Sequence, residues 1–503
     1  MKHQLHIPHL PLLALFSFAA LSTAQSPGPD AGSVNAGFQV LHSFSGLDGG
    51  SPNALIQASD GFFYGSAATG GDMNNCPPDG CGVLFRMDST GHIAFRHFFH
   101  ASDGYLPTGL VLGKDGNFYG TTIAGGQPSG GGGGTFFRMN AAGKLTVLHA
   151  FVGGFACCDG GGPAAQPVEA SDGNFYGTTG AGGAFRDADH PGGLGTVYQL
   201  DPASGALTIL HSFNLADGNG IFPNGPLVQA SDGLFYGTTR QGGPAGGTAF
   251  KIDASGNFAL VASLPGTQPL SGVIQASDGF FYGTDEGGPG AGSVYQVGTS
   301  GNFSFINLFD GLDGYRPNFG LVQASDGLFY GTTPQGGLLD FQAGDLFRLD
   351  ANGTLRVLHS FTTTDGTGGY IPNSQLVQGT DGALYGTAGI GGVNGHGTIF
   401  RLNPRVPGPV RAVSVRPATV TAGKAAVGMV TLPAPAPAGG TIVTLGATGT
   451  QVVLPSTVTV PAGATSAKFR INTIPVSASV TVRIYASVAG AGVRTTLTIV
   501  PAP

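Results

Sequence analysis

The chain has 503 residues and no tryptophan, two glutamates (Glu169 and Glu286) and four cysteines. Charged side chains make up 10% of it, against roughly a quarter in an average soluble domain. Each scarcity excludes something. With so few glutamates, a hydrolase built on paired carboxylates has to rely on Asp. The formal net charge is −7 and no run of Lys or Arg occurs, which excludes a nucleic-acid backbone as partner. Beyond the N-terminus no apolar run reaches about 18 residues, the length of a membrane-spanning helix. The His-Glu-x-x-His, Gly-x-Ser-x-Gly and Walker A patterns are all missing. Cys157 and Cys158 are adjacent, where a bridge would be strained, while Cys76 and Cys81 flank Pro77-Pro78-Asp79-Gly80 and form a possible local disulfide. Two such pairs lack the spacing of a zinc site.

What the chain has is glycine, 90 residues of it, placed at regular positions. Residues 1–24 read as a signal peptide. Lys2 and three histidines precede an apolar stretch from Leu10 to Leu21, and Ser22-Thr23-Ala24 offers small residues for cleavage. Export makes disulfides permissible. Residues 25–37 form a Ser-, Pro- and Gly-rich lead-in.

From there one unit recurs seven times. Its cleanest copy is Ser231-Asp232-Gly233-Leu234-Phe235-Tyr236-Gly237-Thr238-Thr239, and its Asp recurs at 60, 115, 172, 232, 278, 326 and 381. A strand (A) such as Leu227-Val228-Gln229-Ala230 precedes the Asp-Gly, and a strand (B) such as Phe235-Tyr236 follows it. A two-residue Asp-Gly link predicts a type I′ turn. A variable glycine-rich loop leads to strand C, as in Leu346-Phe347-Arg348-Leu349. A short turn ending in Gly then leads to strand D, as in Leu355-Arg356-Val357-Leu358-His359. Four short antiparallel strands per unit predict a seven-bladed β-propeller over 38–403. The last unit lacks strand D, because a Pro-rich linker (404–410) follows its strand C; an orphan strand D, Phe38–Phe44, stands in front of the array. That offset predicts closure of the ring by the N-terminal strand.

The motifs Ser-Asp-Gly-x-Phe-Tyr-Gly-Thr-Thr, Gly-Thr-x-Phe-Arg-Leu-Asp and Leu-x-x-Leu-His-Ser-Phe, recurring together in order, resemble the GloVer repeat of exported bacterial proteins with differing C-terminal anchors. The resemblance covers about residues 38–403. It implies a propeller-like exported protein and brings no catalytic residues. The array departs most from the pattern at Leu264-Pro265-Gly266, with Ala262 where His is common.

Residues 411–503 alternate in the strand period, with seven or so strands and no Cys, and resemble bacterial Ig-like modules; a small β-sandwich is expected. The fold class is therefore all-β, a closed propeller followed by this sandwich. No anchor segment follows Pro503 in the sequence, so release and attachment through the sandwich both stay open.

The chemistry is sparse. The seven Asp-Gly aspartates have turn duties. His42, His97, His149, His211 and His359 hold equivalent places in strand D, with Ala262 and Asn307 at the others. Spread around a rim, they cannot converge on one metal. The loops are the better candidates. B–C loops vary, as in 181–195 with Arg186, Asp187, Asp189 and His190. D–A loops repeat an Asp-Gly at Asp48, Asp103, Asp217, Asp313 and Asp365, with Asp159 a looser copy. These aspartates suit Ca²⁺ or a polyhydroxylated ligand; an Asx-type turn closing each loop is the preferred reading. No cofactor is expected otherwise. The expectation is a secreted or surface-associated, non-catalytic binding protein, its partner an extracellular glycan, protein or cell-surface component. The rival is an extracellular hydrolase or lyase with its site at the central opening.

Overall fold

The computed structural model describes residues 37–502, apart from 72, 74–75, 77, 128–131, 154–158, 164, 245, 289, 338–339, 364–367 and 406–407. The signal peptide, the lead-in up to residue 36, Cys157, Cys158 and Asp365 lie outside the described residues. The fold is all-β and antiparallel sheets dominate it. Among the described residues the one helical element is a 3-10 turn, Leu215–Asp217. No helix there is long and apolar enough to cross a membrane.

The repeats form sheets in the order A-B-C-D, with every neighbouring pair antiparallel. In repeat 1 these strands are Gly50–Gln57, Phe63–Thr69, Val83–Met87 and Ile93–Phe98. Repeats 2 to 6 follow the same order, with strands B beginning at Phe118, Phe175, Phe235, Phe281 and Phe329. Repeat 7 carries Val377–Gln378 and Tyr370–Pro372 beside Leu384–Ile390, then Thr398–Leu402. Its fourth strand is Phe38–Ser43, antiparallel to Thr398–Leu402, with Phe38 opposite Leu402.

The Asp-Gly turn differs from the expected two-residue type I′ form. Gly61 N–H donates to Ala58 C=O (3.0 Å) and Ala58 N–H to Phe62 C=O (3.0 Å). The loop is thus Ser-Asp-Gly, and Gly61 alone has a left-handed φ (83°). This is a type I turn closed by a glycine bulge. The reason lies in the aspartate. Asp60 accepts from Phe62 N–H (3.1 Å) with one carboxylate oxygen and from the Tyr64 hydroxyl (2.8 Å) with the other. All seven copies make both bonds, Asp232 with Leu234 N–H and the Tyr236 hydroxyl among them.

The rest of the motif joins one repeat to the next. Each strand-B Tyr packs on the strand-B residue of the following repeat, as Tyr119 does on Phe175 (4.2 Å between centroids) and Tyr236 on Phe281 (4.2 Å). Phe63 of repeat 1 meets Tyr385 of repeat 7 at 4.1 Å. The first Thr of Gly-Thr-Thr donates to a carbonyl ahead of the next strand A, as Thr178 does to Gly225 (3.0 Å) and Thr238 to Ser271 (3.0 Å). The strand-A Gln reaches back: Gln229 accepts from Ser171 N–H (2.9 Å) and Gln275 from Ser231 N–H (2.9 Å). Gln57 does the same with Thr380 N–H (2.7 Å), across 323 residues of sequence. The apolar cores follow suit. Seven clusters lie in the array, and the one holding Phe63 and Phe85 also holds Tyr385 and Ile399.

Residues 410–500 form a separate unit of nine strands in two sheets around one core that includes Val443, Val460, Ile471, Ile484 and Ile499. Two more strands occur than the expected seven or so, because short pieces (Thr419–Thr421, Val452–Val453) pair at its edges. The unit does not hang free. Gly492 pairs with Val357 of strand D in repeat 6, Ser360 Oγ donates to Gly490 C=O (3.0 Å), and Arg356 to Val410 C=O (2.5 Å).

Candidate functional site

Strands alternate in direction, so the B–C and D–A connections leave one end of each sheet and the A–B and C–D turns leave the other. The loop end carries every sequence-derived candidate except the turn aspartates. Its geometry starts in strand D. In all seven copies the C–D ladder slips by one residue immediately before the position that usually holds His. Such a bulge re-aims the next side chain, and here the histidine meets the D–A loop. His42 Nε2 lies 3.0 Å from Asp48, His97 Nε2 2.8 Å from Asp103 and His149 Nε2 3.1 Å from Asp159. The other carboxylate oxygen of Asp48 and of Asp103 accepts a loop N–H, from Ser45 (2.5 Å) and His100 (2.7 Å). His211 faces the charge of Asp217; burial lowers the imidazole pKa and that carboxylate opposes the shift. Burial drives His359, stacked on Phe38 at 3.6 Å, down to about 3.

Asp48, Asp103 and Asp159 therefore close their own loops. Among the described residues no three His, Cys, Asp or Glu side chains gather as metal ligands. The loop 181–195 is also internally bonded: Asp187 accepts from the backbone N–H of Asp189 (3.0 Å) and His190 (2.7 Å), and lies 2.8 Å from His190 Nδ1. That contact with His190 lowers the Asp187 pKa. Asp189 is exposed and Arg186 half-buried on the same loop. Cys76 and Cys81 are disulfide-bonded.

Two features escaped the sequence reading. The residue before the loop proline is left-handed in five repeats: Ser51, Leu106, Phe222, Arg316 and Ile371 all have φ between 50° and 58°. That conformation is unfavourable for a residue preceding proline. Each is held by its N–H, which donates to the preceding repeat's B–C loop: Leu106 to Cys81 C=O (3.2 Å), Phe222 to Leu194 C=O (2.9 Å). The disulfide thus braces a loop that positions the next repeat. The second feature is two buried acids: Asp285 stands where other repeats carry Thr or Ala, and Asp345 where they carry Thr, Ser or Val. Asp285 accepts from Gln268 N–H (2.9 Å), Gly287 N–H (2.7 Å) and Ser293 Oγ (2.5 Å). Asp345 accepts from Ser360 Oγ, and burial lifts its pKa to about 7. Asp345 follows a glycine-rich stretch whose length varies, which hides its alignment, and Asp285 replaces the second Thr of Gly-Thr-Thr just before one.

Repeat 5 departs from the His–Asp scheme. Its strand D carries Asn307, and the buried Asp313 is ion-paired with Arg494 of the C-terminal unit. Arg494 also donates to Asn307 Oδ1 (2.7 Å). Asp310 takes Arg483 at 2.7 Å and the Tyr485 hydroxyl.

No curated protein matches the chain. Solved structures match at low identity. A Bacteroides thetaiotaomicron protein of unknown function shares 13% identity, covering 70% of this chain and 98% of its own, with a TM-score of 0.36. A quinonprotein alcohol dehydrogenase-like protein from the same organism shares 14%, covering 62% and 65%, with a TM-score of 0.39. An exo-β-1,3-galactanase from Phanerochaete chrysosporium shares 10%, covering 92% and 99%, with a TM-score of 0.31. The Gloeobacter/Verrucomicrobia repeat matches residues 31–187, 73–290 and 264–414. With Asp–Tyr turns, Thr and Gln links and bulged outer strands recurring through that span, the chain belongs to the Gloeobacter/Verrucomicrobia repeat family.

Proposed function

We propose that the protein is an exported, non-catalytic binding protein. Its scaffold is a seven-bladed β-propeller closed by the N-terminal strand, its variable loops form the binding face, and an Ig-like sandwich is fixed at the rim. The ring is supported by the contacts that link repeats 1 and 7, Phe63 with Tyr385 and Gln57 with Thr380. Export is supported by the Cys76–Cys81 disulfide, a bond that persists in oxidising compartments.

One observation carries the binding reading: the polar groups of the repeated motif already have partners within the scaffold. Its Asp, Tyr, Thr and Gln side chains bond to turns or to the neighbouring repeat. Among the described residues the strands A, innermost in a propeller, hold one carboxylate, Glu169, which accepts from Lys114 N–H (2.8 Å), and two tyrosines, Tyr105 and Tyr370. An active site at the central opening has no carboxylate, histidine or lysine from those strands beyond Glu169.

The test is a glycan and surface-polymer array probed with the secreted protein, with and without Ca²⁺. Replacing 184–192 by a Gly-Ser loop should abolish a hit, whereas Asp232→Asn at the opposite end should leave it intact. Binding indifferent to the loop replacement would overturn the reading, as would turnover of an arrayed polymer, which favours the hydrolase or lyase. A hit that needs Ca²⁺ and is lost in Asp103→Asn would establish the D–A aspartates as ligands.

A further inference from the structure

The repeats contain a natural substitution series at one contact. In repeats 1 and 2, and in the strand D that completes repeat 7, the bulged histidine gives Nε2 to one oxygen of the D–A aspartate: His97 to Asp103, His149 to Asp159, His42 to Asp48. In repeat 4 both partners are missing. Ala262 stands at the histidine position, and Pro265-Gly266-Thr267-Gln268 brings no acid. Repeat 5 alone keeps the acid and loses the histidine. Asp313 retains the loop bond, accepting from Asp310 N–H (3.0 Å) as Asp48 accepts from Ser45 N–H. Its second oxygen, the one that faces histidine elsewhere, faces Arg494 instead.

We infer that Asn307 is the address that decides where the C-terminal unit docks. A buried carboxylate without a cationic or hydrogen-bonding partner is strongly unfavourable. Asp313 is fully buried, and the asparagine side chain is shorter than histidine and carries no charge. The vacancy is filled by a guanidinium from residues 410–500, and Asn307 Oδ1 receives its second N–H at 2.7 Å. Asp310 completes the seat. The equivalent position at the end of strand D is Ser45, His100, Val152, Asn214, Pro265 or Thr362 in the other repeats, so repeat 5 alone carries an acid there. Arg483 occupies the second at 2.7 Å. At repeats 1, 2 and 7 a histidine already holds the aspartate, so Arg494 has no open carboxylate there.

The address is tested in the secreted full-length protein by protease cleavage within 404–410 and by small-angle scattering. Asn307→His supplies Asp313 with the partner other repeats use. It should release the unit, speeding cleavage at least tenfold and lengthening the particle. Asn307→Ala removes one hydrogen bond without offering a rival, and should speed cleavage less than threefold. Arg494→Ala should match Asn307→His, and Ala262→His should change nothing. Equal behaviour of Asn307→His and Asn307→Ala would overturn the inference, reducing Asn307 to a simple hydrogen-bond partner. So would a docked Asn307→His protein.

Discussion

The repeat array and the C-terminal unit are built from the same kind of strand and held together in opposite ways. The unit has one apolar core and not a single acidic residue: all 28 Asp and Glu precede residue 411, while Arg411, Arg416, Lys424, Lys468, Arg470, Arg483 and Arg494 follow. The array divides its apolar residues among seven small clusters and stitches neighbouring repeats with buried hydrogen bonds. A single core tolerates local polar change. A chain of shared clusters does not, because each junction belongs to two repeats and a buried donor left unpaired is costly. The opposite charges explain the docking: Arg483 and Arg494 enter the acidic loop of repeat 5, and Arg411, Arg416, Lys424, Lys468 and Arg470 stay exposed.

The contrast can be broken experimentally. Removing residues 1–45 deprives repeat 7 of its outer strand and should have the largest effect. The array should lose cooperative thermal unfolding, more than the ~5 kcal/mol of one large core truncation, while residues 410–500 keep a protease-resistant core. An unchanged melting curve would sink the closed ring. Phe63→Ala at the closing junction and Phe175→Ala at an interior one should each cost about 3–5 kcal/mol in urea unfolding. In a ring the two costs are similar; in an open array Phe63 costs far less.

Next comes pH. Asp345 has its pKa raised to about 7 in the fold from an ordinary value of 3.8. The folded state thus holds the proton more tightly, and stability falls as pH rises between those values. The loss levels off above about 7 and is on the order of a few kcal/mol. Asp345→Asn should therefore raise the melting temperature at pH 8 and leave it unchanged near pH 3. A parallel shift at both values would assign the effect to packing instead. The smallest expected contrast is between Asp232→Ala, which strands the Tyr236 hydroxyl and Leu234 N–H at about 1–2 kcal/mol, and Lys468→Ala on the exposed face of the C-terminal unit, at under ~0.5 kcal/mol.

Much of the fold was legible because it is repeated. Alternation, turn chemistry and the orphan strand D at Phe38–Phe44 led to sheets of four and to the pairing with Thr398–Leu402. The turn type was misread because Asp-Gly alone resembles a hairpin link; Ser opens the loop, and the aspartate side chain holds its own backbone right-handed. At the loop end, the preference for turn duties over metal binding rested on residue type, but the histidine partner depends on a bulge that no sequence pattern reveals. The docking of the C-terminal unit was hidden further. Arg483, Tyr485 and Arg494 sit in ordinary strands, and the visible trace was Asn307 in a column of histidines.

The pairing of Phe38–Ser43 with Thr398–Leu402 also sets an order of events. In a chain that leaves the cell N-terminus first, the earliest strand to emerge has its partner some 360 residues behind it. That pairing can form only after the last repeat has followed. Until then, Phe38–Ser43 and the strand-C edge of repeat 7 are unpaired strands seeking a partner, the state in which β-proteins exchange segments or aggregate. Under the export proposed above, timing of chain emergence, and not only final stability, would decide whether this pairing forms.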